Sequence, residues 1–315
     1  MNNWKNQLYF GDNLDILRDH IPPGSVDLIY LDPPFNSKAT YNVLFQEKSG
    51  EQSAAQITAF EDTWHWGRES EEAYHEVVTT GPKKLADLLQ ALRSFLGQND
   101  MMAYLTMMAI RLVELHRVLK PTGSIYLHCD STASHYLKMV MDAIWGPERF
   151  LNEIVWKRTT AHNDPRRFGR IGDRIFFYAK TKHKLFNSIS GEYSKEQLSR
   201  YKYEDEHGLF RAENLTAPHF SQTRTIDWRG VNPGKNRQWR FSIEELERLY
   251  NNGRILLQKD GRPRKDGLKV YLSETKGPPI QDIWTDIGFG PTSGERLGYP
   301  TQKPEALLER IIRAS

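Results

Sequence analysis

The sequence has a single cysteine and no long hydrophobic run. Because Cys129 stands alone, an internal disulfide, a cysteine-rich zinc site and a redox pair are excluded within the chain. No apolar run approaches the ~20 residues of a membrane span. The amino terminus MNNWKNQLYF also lacks the basic end and the apolar stretch of a signal peptide. We therefore expect a soluble, cytoplasmic protein that does not contact a membrane.

The composition supplies ample material for a hydrophobic core. Of the 315 residues, 38% are hydrophobic and 11% aromatic, with 14 Phe, 14 Tyr and 8 Trp. These values exclude collagen-like, disordered and mini-protein classes. The length favours one large domain with an inserted or appended module.

The net charge of +3 conceals an uneven distribution. Residues 151–270 contain 25 Lys and Arg against 15 Asp and Glu, a net charge of +10, so the remainder carries -7. A basic block within an otherwise acidic chain indicates that one part of the molecule contacts a polyanion, and nucleic acid is the first candidate.

Hydrophobic periodicity predicts strands that alternate with helices over most of the chain. We expect strands near 7–11, 26–31, 124–128, 154–156 and 174–178, and helices near 13–20, 83–96, 101–119, 130–141 and 305–314. The polar stretch 36–80 is expected to be an irregular loop. This alternation predicts a mostly parallel α/β sheet with right-handed crossovers, and the less periodic chain after about 185 predicts a separate α+β module.

The clearest chemical signal is the sequence LDPPFNS, which follows the apolar run 26–31. The carboxyl end of a strand is where open α/β sheets bind ligands. Pro33 and Pro34 fix two φ angles and remove two N–H donors, while Asp32 can accept from an amino group and Phe35 can stack on a flat ring. A planar ligand with an exocyclic amino group satisfies both side chains. The alternative is a rigid turn that only closes the strand.

Five segments of the sequence resemble, in the same order, the β-group of amino-methyltransferases, the DNA adenine-N6 and cytosine-N4 enzymes of restriction-modification systems and phages. They are GDNLDIL at 11–17, DLIYLDPPFNS at 27–37, LKPTGSIYLHCD at 119–130, DRIFFYAKT at 173–181 and GYPTQKPEALLERIIRAS at 298–315. The resemblance implies an α/β fold with a doubly wound, mostly parallel sheet of the S-adenosylmethionine-dependent methyltransferase type and an inserted α+β target-recognition module. It further implies a catalytic half at 1–185, the target-recognition module at 186–285 and the start of a cofactor-binding half at 286–315.

The resemblance also implies a chemistry for the double-proline bend. Asp32 and the backbone around Pro33 and Pro34 would hold the amino group of a base turned out of the duplex, and Phe35 would stack on that base. A methyl group would pass directly from the sulfonium of S-adenosylmethionine to nitrogen, without a metal and without a covalent enzyme intermediate. Cys129 is therefore expected to be a core residue and not a nucleophile.

The cofactor contacts implied by the resemblance lie at both ends of the chain. Thr301 and Lys303 would meet the methionine carboxylate, Asp32 would border the cofactor, and Asp12 would approach the adenosine part. A helix N-cap is an equally weighted interpretation of Asp12. The family carries an F-x-G-x-G turn after the TQKP helix, and this sequence stops before it. We accordingly expect a truncated chain that binds cofactor weakly or not at all unless a second chain supplies the missing half.

Basic residues interleaved with aromatic rings are candidates for nucleic-acid contacts. The candidates are Lys157, Arg158, Arg166, Arg167, Arg229, Arg237 and Arg240. The alternative is an ordinary solvated surface. Candidate partners are double-stranded DNA, a restriction endonuclease subunit and a second copy of the chain.

Three classes of function stay open at the level of sequence. The first is a DNA amino-methyltransferase, with adenine N6 favoured over cytosine N4 because the resemblance associates DPPF with the adenine enzymes. The second is a transferase acting on RNA or on a protein amide, against which Asp32 counts because those protein enzymes usually begin the motif with Asn. The third is a catalytically silent DNA-binding fragment, which would bind DNA with steep salt dependence and would not bind the cofactor.

Overall fold

The computed structural model describes residues 5–33, 40–42, 58–61, 64–160, 165–288, 294, 295, 297 and 301–315. The chain divides into two compact units, which we call unit 1 (Met1–Ile189 with Gln281–Ser315) and unit 2 (Ser190–Ile280). Of the helices within these ranges, none is long and apolar enough to cross a membrane.

The α-helices and strands of the described chain have the following bounds. The helices are α1 (Asn13–His20), α2 (Arg68–Thr80), α3 (Lys83–Leu96), α4 (Asp100–Val118), α5 (Ser134–Trp145), α6 (Lys195–Leu198), α7 (Ile243–Asn251) and α8 (Glu305–Ala314). The strands are β1 (Val26–Leu31), β2 (Thr40–Asn42), β3 (Thr58–Glu61), β4 (Leu119–Cys129), β5 (Phe150–Lys157), β6 (Gly172–Ala179), β7 (Tyr203–Asp205), β8 (Gly208–Glu213), β9 (Thr216–Pro218), β10 (Arg237–Trp239), β11 (Ile255–Leu257), β12 (Pro263–Tyr271) and β13 (Ile283–Trp284).

Unit 1 is built on a five-stranded sheet with the order β1-β4-β6-β5-β13. β1 pairs with β4 and β13 pairs with β5 in parallel, whereas β6 runs antiparallel to both β4 and β5. Within the described sheet, β1, β4, β5 and β13 therefore run in one direction, as predicted, and β6 runs against them. The reason is that the described residues between β5 and β6 contain no crossover helix, and strands joined without such a helix pair antiparallel.

The core of unit 1 joins the helices to one face of this sheet. Leu105 and Leu112 on α4 are fully buried, and each such side chain contributes roughly 1.5–3 kcal/mol relative to an exposed one. Leu127 and Cys129 on β4 belong to the same core, which confirms Cys129 as a buried packing residue. Because side chains alternate along a strand, the intervening His128 points to the opposite face.

Three further expectations in unit 1 are corrected. Residues 7–10 form no strand, and Phe10 is 93% exposed, because no described strand pairs with them. Within the stretch expected to be irregular, α2 is a helix that is easily missed, since Ala73 and Val77 are its only buried hydrophobic side chains. The nearly continuous apolar run of β1 predicts a strand that is covered on both faces, but β1 is the edge strand of the described sheet and only Ile29 in it is buried.

Unit 2 has an α+β composition with short antiparallel sheets. One sheet has the order β11-β12-β8-β7, and β9 pairs with β10. Trp228 and Trp239 pack edge to face in its core, with ring centroids 5.7 Å apart. The aromatic rings of this basic region are thus partly core residues. The bounds of unit 2 lie inside the predicted module 186–285, and its role in target recognition stays a prediction.

Candidate active site

The strands of unit 1 bring three polar side chains to one edge of the sheet. Leu31 of β1 is in register with Leu127 of β4, so Asp32 emerges where β4 also ends. β6 begins at the same edge, because Cys129 pairs with Arg174 in the antiparallel direction. Asp32, His128 and Asp173 therefore converge, although they are distant in sequence.

The side chain of Asp32 joins this edge to the last described loop of the chain. Its Oδ2 accepts a hydrogen bond from Lys303 Nζ at 2.6 Å, across 271 positions of sequence. Lys303 Nζ also donates to the carbonyl oxygen of Thr301 at 3.1 Å. The Asp32 side chain is 26% exposed and the Lys303 side chain 13%, so this charge-assisted bond is largely shielded from water. Residues predicted for catalysis and for cofactor binding are thus in direct contact.

His128 lies beside the other oxygen of this carboxylate and is fully buried. Its Nδ1 is 2.7 Å from the hydroxyl of Tyr30 and 3.6 Å from Asp32 Oδ1. Its Nε2 is 3.1 Å from Asp173 Oδ2, and its ring lies edge-on to that of Trp156 with centroids 5.7 Å apart. Sequence reasoning missed this histidine, for which the available signal was a polar residue inside the apolar run SIYLHC.

The charges of this cluster are balanced by a surface arginine. Arg158 Nε lies 3.0 Å from Asp173 Oδ2, and its side chain is 53% exposed. Burial alone would raise the pKa of the Asp173 carboxyl, but the hydrogen bond with His128 and the charge of Arg158 lower that pKa below its ordinary value. Burial and the charges of Asp32 and Asp173 raise the pKa of Tyr30, which therefore stays a protonated hydrogen-bond donor.

The double-proline bend is only partly described. Pro33 follows Asp32 and is buried. Pro34 and Phe35 lie outside the described residues, so the stacking of Phe35 on a base stays a prediction.

Asp12 has two contacts, and within the described residues neither of them is with Asp32 or Lys303. One oxygen accepts from the backbone N–H of Leu14 at 2.8 Å, which confirms Asp12 as the N-cap of α1. Both oxygens lie 2.8 Å from the guanidinium of Arg111, whose Nε also donates to Asn13 Oδ1 at 2.7 Å. These contacts fasten α1 to α4, and a contact with adenosine stays a prediction.

The candidate nucleic-acid contacts fall in both units. Lys157, Arg158, Arg166 and Arg167 belong to unit 1 and are exposed near the ends of β5 and β6. Lys157 ends β5, and Arg158 contacts Asp173, so these two lie at the sheet edge that also carries Asp32.

The three candidates in unit 2 contact its own fold. Arg229 lies 2.7 Å from Glu247, and Arg240 lies 3.4 Å from Glu213. Arg237 donates to the hydroxyl of Thr216 at 2.9 Å. These contacts stabilise unit 2, and their use in binding nucleic acid stays a prediction.

Comparison with known proteins identifies relatives of this chain. A family model described as DNA methylase matches residues 26–315. The type II methyltransferase M.EcaI of Enterobacter cloacae is 30% identical over 217 residues, which cover 68% of this chain and 47% of that protein. The Mod subunit of the type III restriction-modification enzyme StyLTI of Salmonella typhimurium is 26% identical over an alignment of 329 residues, which covers 99% of this chain and 46% of that subunit. The chain thus spans about half the length of the curated relatives it matches.

A solved structure with a lower similarity is the cytosine-N4-specific PvuII DNA methyltransferase. It has 13% sequence identity and a TM-score of 0.33, and the match covers 62% of this chain and 61% of that one.

Proposed function

The chain belongs to the DNA methylase family, and on this premise we propose that the full-length protein transfers a methyl group from S-adenosylmethionine to the exocyclic amino group of a base in double-stranded DNA. Adenine N6 is the favoured acceptor and cytosine N4 the second candidate. The preference rests on DPPF at 32–35, which the family resemblance associates with adenine.

The observation that carries this proposal is the contact between Asp32 and Lys303. A carboxylate at the end of a strand and an ammonium 271 residues later form a bond of 2.6 Å at the edge of the sheet where ligands bind. Two segments that the family assigns to one reaction are thus adjacent in space. A rigid turn that only closes β1 would not require this partner.

The residues present fit the polar groups of S-adenosylmethionine. Lys303 Nζ donates to the carboxylate of Asp32 and to the carbonyl oxygen of Thr301. The methionine carboxylate of the cofactor needs a cationic donor of the same kind. Lys303 and the segment around Thr301 would hold that carboxylate, and Asp32 would border the reacting end. When bound, the cofactor supplies an electrophilic methyl group.

Asp32 has one carboxylate oxygen that is suited to hold the base. Within the described part of the chain, Oδ2 is hydrogen-bonded to Lys303, whereas Oδ1 lies 3.6 Å from the nearest nitrogen of His128. Oδ1 would accept an N–H of the amino group and so draw electron density toward a nitrogen whose lone pair is otherwise delocalised in the ring. The same bond would orient the nitrogen for in-line attack.

The contacts with DNA are proposed separately for the two units. Lys157 and Arg158 are exposed at the edge that carries Asp32, and Arg166 and Arg167 are exposed in the segment between β5 and β6; we assign all four to phosphates. Unit 2 is proposed as the target-recognition module. Because the curated relatives include Mod subunits of type III restriction-modification enzymes, an endonuclease subunit is the proposed protein partner.

The test is Asp32→Ala in the full-length protein, with labelled S-adenosylmethionine and duplex DNA. We expect methyl incorporation to be lost while DNA affinity is retained. The matched control is Asp27→Ala, because Asp27 lies on the same strand but pairs with Lys120 at the far end of β1. Methylation by Asp32→Ala at the wild-type rate would refute the catalytic assignment. A wild-type protein that binds DNA without methylating any substrate would favour the silent DNA-binding alternative.

A further inference from the structure

The fully buried His128 has a role that the proposed function does not yet use. Resting on that proposed function, we propose that His128 is a positioning residue for the Asp32 carboxylate, and that Tyr30 and Asp173 fix the orientation of its imidazole ring. His128 does not touch the substrate in this proposal and acts only through Asp32.

The hydrogen bonds around His128 define one arrangement of its protons. Because Tyr30 is a protonated phenol, its O–H donates to Nδ1 over 2.7 Å, and Nε2–H then donates to Asp173 over 3.1 Å. Both ring nitrogens are therefore engaged, which prevents the ring from flipping.

The charged groups around the ring support the same neutral form. Asp32 is paired with Lys303, and Asp173 is paired with Arg158. Each carboxylate thus has its own cation, and a neutral imidazole between the two pairs adds no buried charge.

Lys303 and His128 lie on opposite oxygens of the Asp32 carboxylate and together fix its orientation. Lys303 binds Oδ2, while the Nδ1 edge of His128 stands 3.6 Å from Oδ1, too far for a direct hydrogen bond but close enough to limit rotation of the carboxylate. The ring thereby keeps Oδ1 available for the amino group. Removal of the ring would open space beside the carboxylate and would let Oδ1 turn away from the substrate.

The first test reads the protons of His128 directly, in full-length protein labelled with ¹⁵N-histidine. We expect the ¹⁵N chemical shifts of a neutral imidazole that is protonated at Nε2. The signal of His128 is assigned as the one that disappears in His128→Asn. In Asp173→Asn the amide oxygen can still accept from Nε2–H, so the same tautomer is expected there. A ring protonated at Nδ1 in the wild type would overturn the proposed arrangement.

The second test separates positioning from mere structural support by single-turnover methylation. His128→Ala is expected to slow methyl transfer by about 10²-fold, the scale of a small misplacement of reacting groups, while the affinities for DNA and S-adenosylmethionine change by less than about twofold. His128→Asn, which keeps a polar amide near the position of Nδ1, should recover most of that rate. His116→Asn is the matched control, because His116 packs on Trp145 in the helical layer.

The outcomes of the second test are distinguishable. If folded His128→Ala methylates at the wild-type rate, or His128→Asn is folded and no faster than His128→Ala, the positioning role is refuted. If melting temperature and both affinities fall together with the rate, the role is structural and the inference is also refuted. A wild-type protein without methyl transfer would instead refute the proposed function, and the tautomer measurement would still test the arrangement around His128.

Discussion

Replacement of Asp12 should destabilise unit 1 through two contacts that can be separated. Its side chain caps α1 by accepting from Leu14 N–H, and it pairs with Arg111 through both oxygens at 2.8 Å. The Arg111 side chain is 8% exposed and the Asp12 side chain 47%. Asp12→Ala removes the cap and the ion pair, whereas Asp12→Asn keeps an N-cap acceptor and removes only the charge.

The magnitude follows from these two contributions. Loss of an N-cap costs about 1 kcal/mol. Breaking a buried ion pair costs about 3–5 kcal/mol, but the half-exposed Asp12 places this pair well below that range, at about 1–2 kcal/mol. Arg111 also keeps its bonds to Asn13 and to the carbonyl oxygen of Met107, which limits the loss. We therefore expect Asp12→Ala to lower the free energy of unfolding by about 2–3 kcal/mol. The loss in Asp12→Asn should be smaller by about 1 kcal/mol, because the N-cap is kept.

The assay is urea denaturation followed by circular dichroism, with Asp15→Ala as the matched control. Asp15 lies in the first turn of the same helix, where an exposed acidic side chain contributes only about 0.3–1 kcal/mol. Equal losses for Asp12→Ala and Asp12→Asn would show that the cap contributes nothing. A loss for Asp12→Ala no larger than that of Asp15→Ala would refute the structural assignment of Asp12.

Three further predictions concern the site and unit 2. Lys303→Met should weaken S-adenosylmethionine binding about 10–100-fold, as expected for a lost charge-assisted hydrogen bond of about 1.5–3 kcal/mol, with DNA affinity unchanged; calorimetric titration showing equal cofactor affinity would contradict it. In unit 2, the hydrogen bond from Lys269 lowers the pKa of Asp205 to about 2. The stability that this carboxylate contributes is present above its ordinary pKa of about 3.9 and is lost as the pH falls toward 2, so Asp205→Asn should flatten the fall in melting temperature between about pH 4 and pH 2; parallel melting curves would contradict this. Gly277 has a φ of +88°, and the carbonyl oxygen of Gly191 lies 2.0 Å from the position of a Cβ. Gly277→Ala should therefore lower the melting temperature more than Gly253→Ala, where φ is +66° but nothing lies within 4 Å.

Asp32 and Lys303 could be predicted from the sequence because each lies in a short segment with a recognisable motif. The apolar run 26–31 ends at Asp32, and strand ends in open sheets face ligands, so that position follows from one short segment. Lys303 follows from the TQKP segment before α8. What local sequence could not show is that the two side chains bond directly, because that depends on how segments 271 positions apart pack.

His128 and Asp173 were missed for a different reason. Each looks like an isolated polar residue in a strand, and their contact arises only because β6 runs antiparallel to β4 in a particular register. The prediction of a mostly parallel sheet does not specify that β6 is reversed, and this reversed strand brings the two positions together. Helix α2 was missed because tertiary packing of a narrow face, including Ala73 and Val77, stabilises a segment with weak periodicity.

The central claim is that Asp32 and Lys303 belong to one site for methylating a base. Its most direct test is to incubate the full-length protein with duplex DNA and S-adenosylmethionine, digest the DNA to nucleosides and identify the products by mass spectrometry. The account predicts N6-methyladenine with the wild type and none with Asp32→Ala. The absence of any amino-methylated base from wild-type reactions across a library of duplex sequences would contradict it.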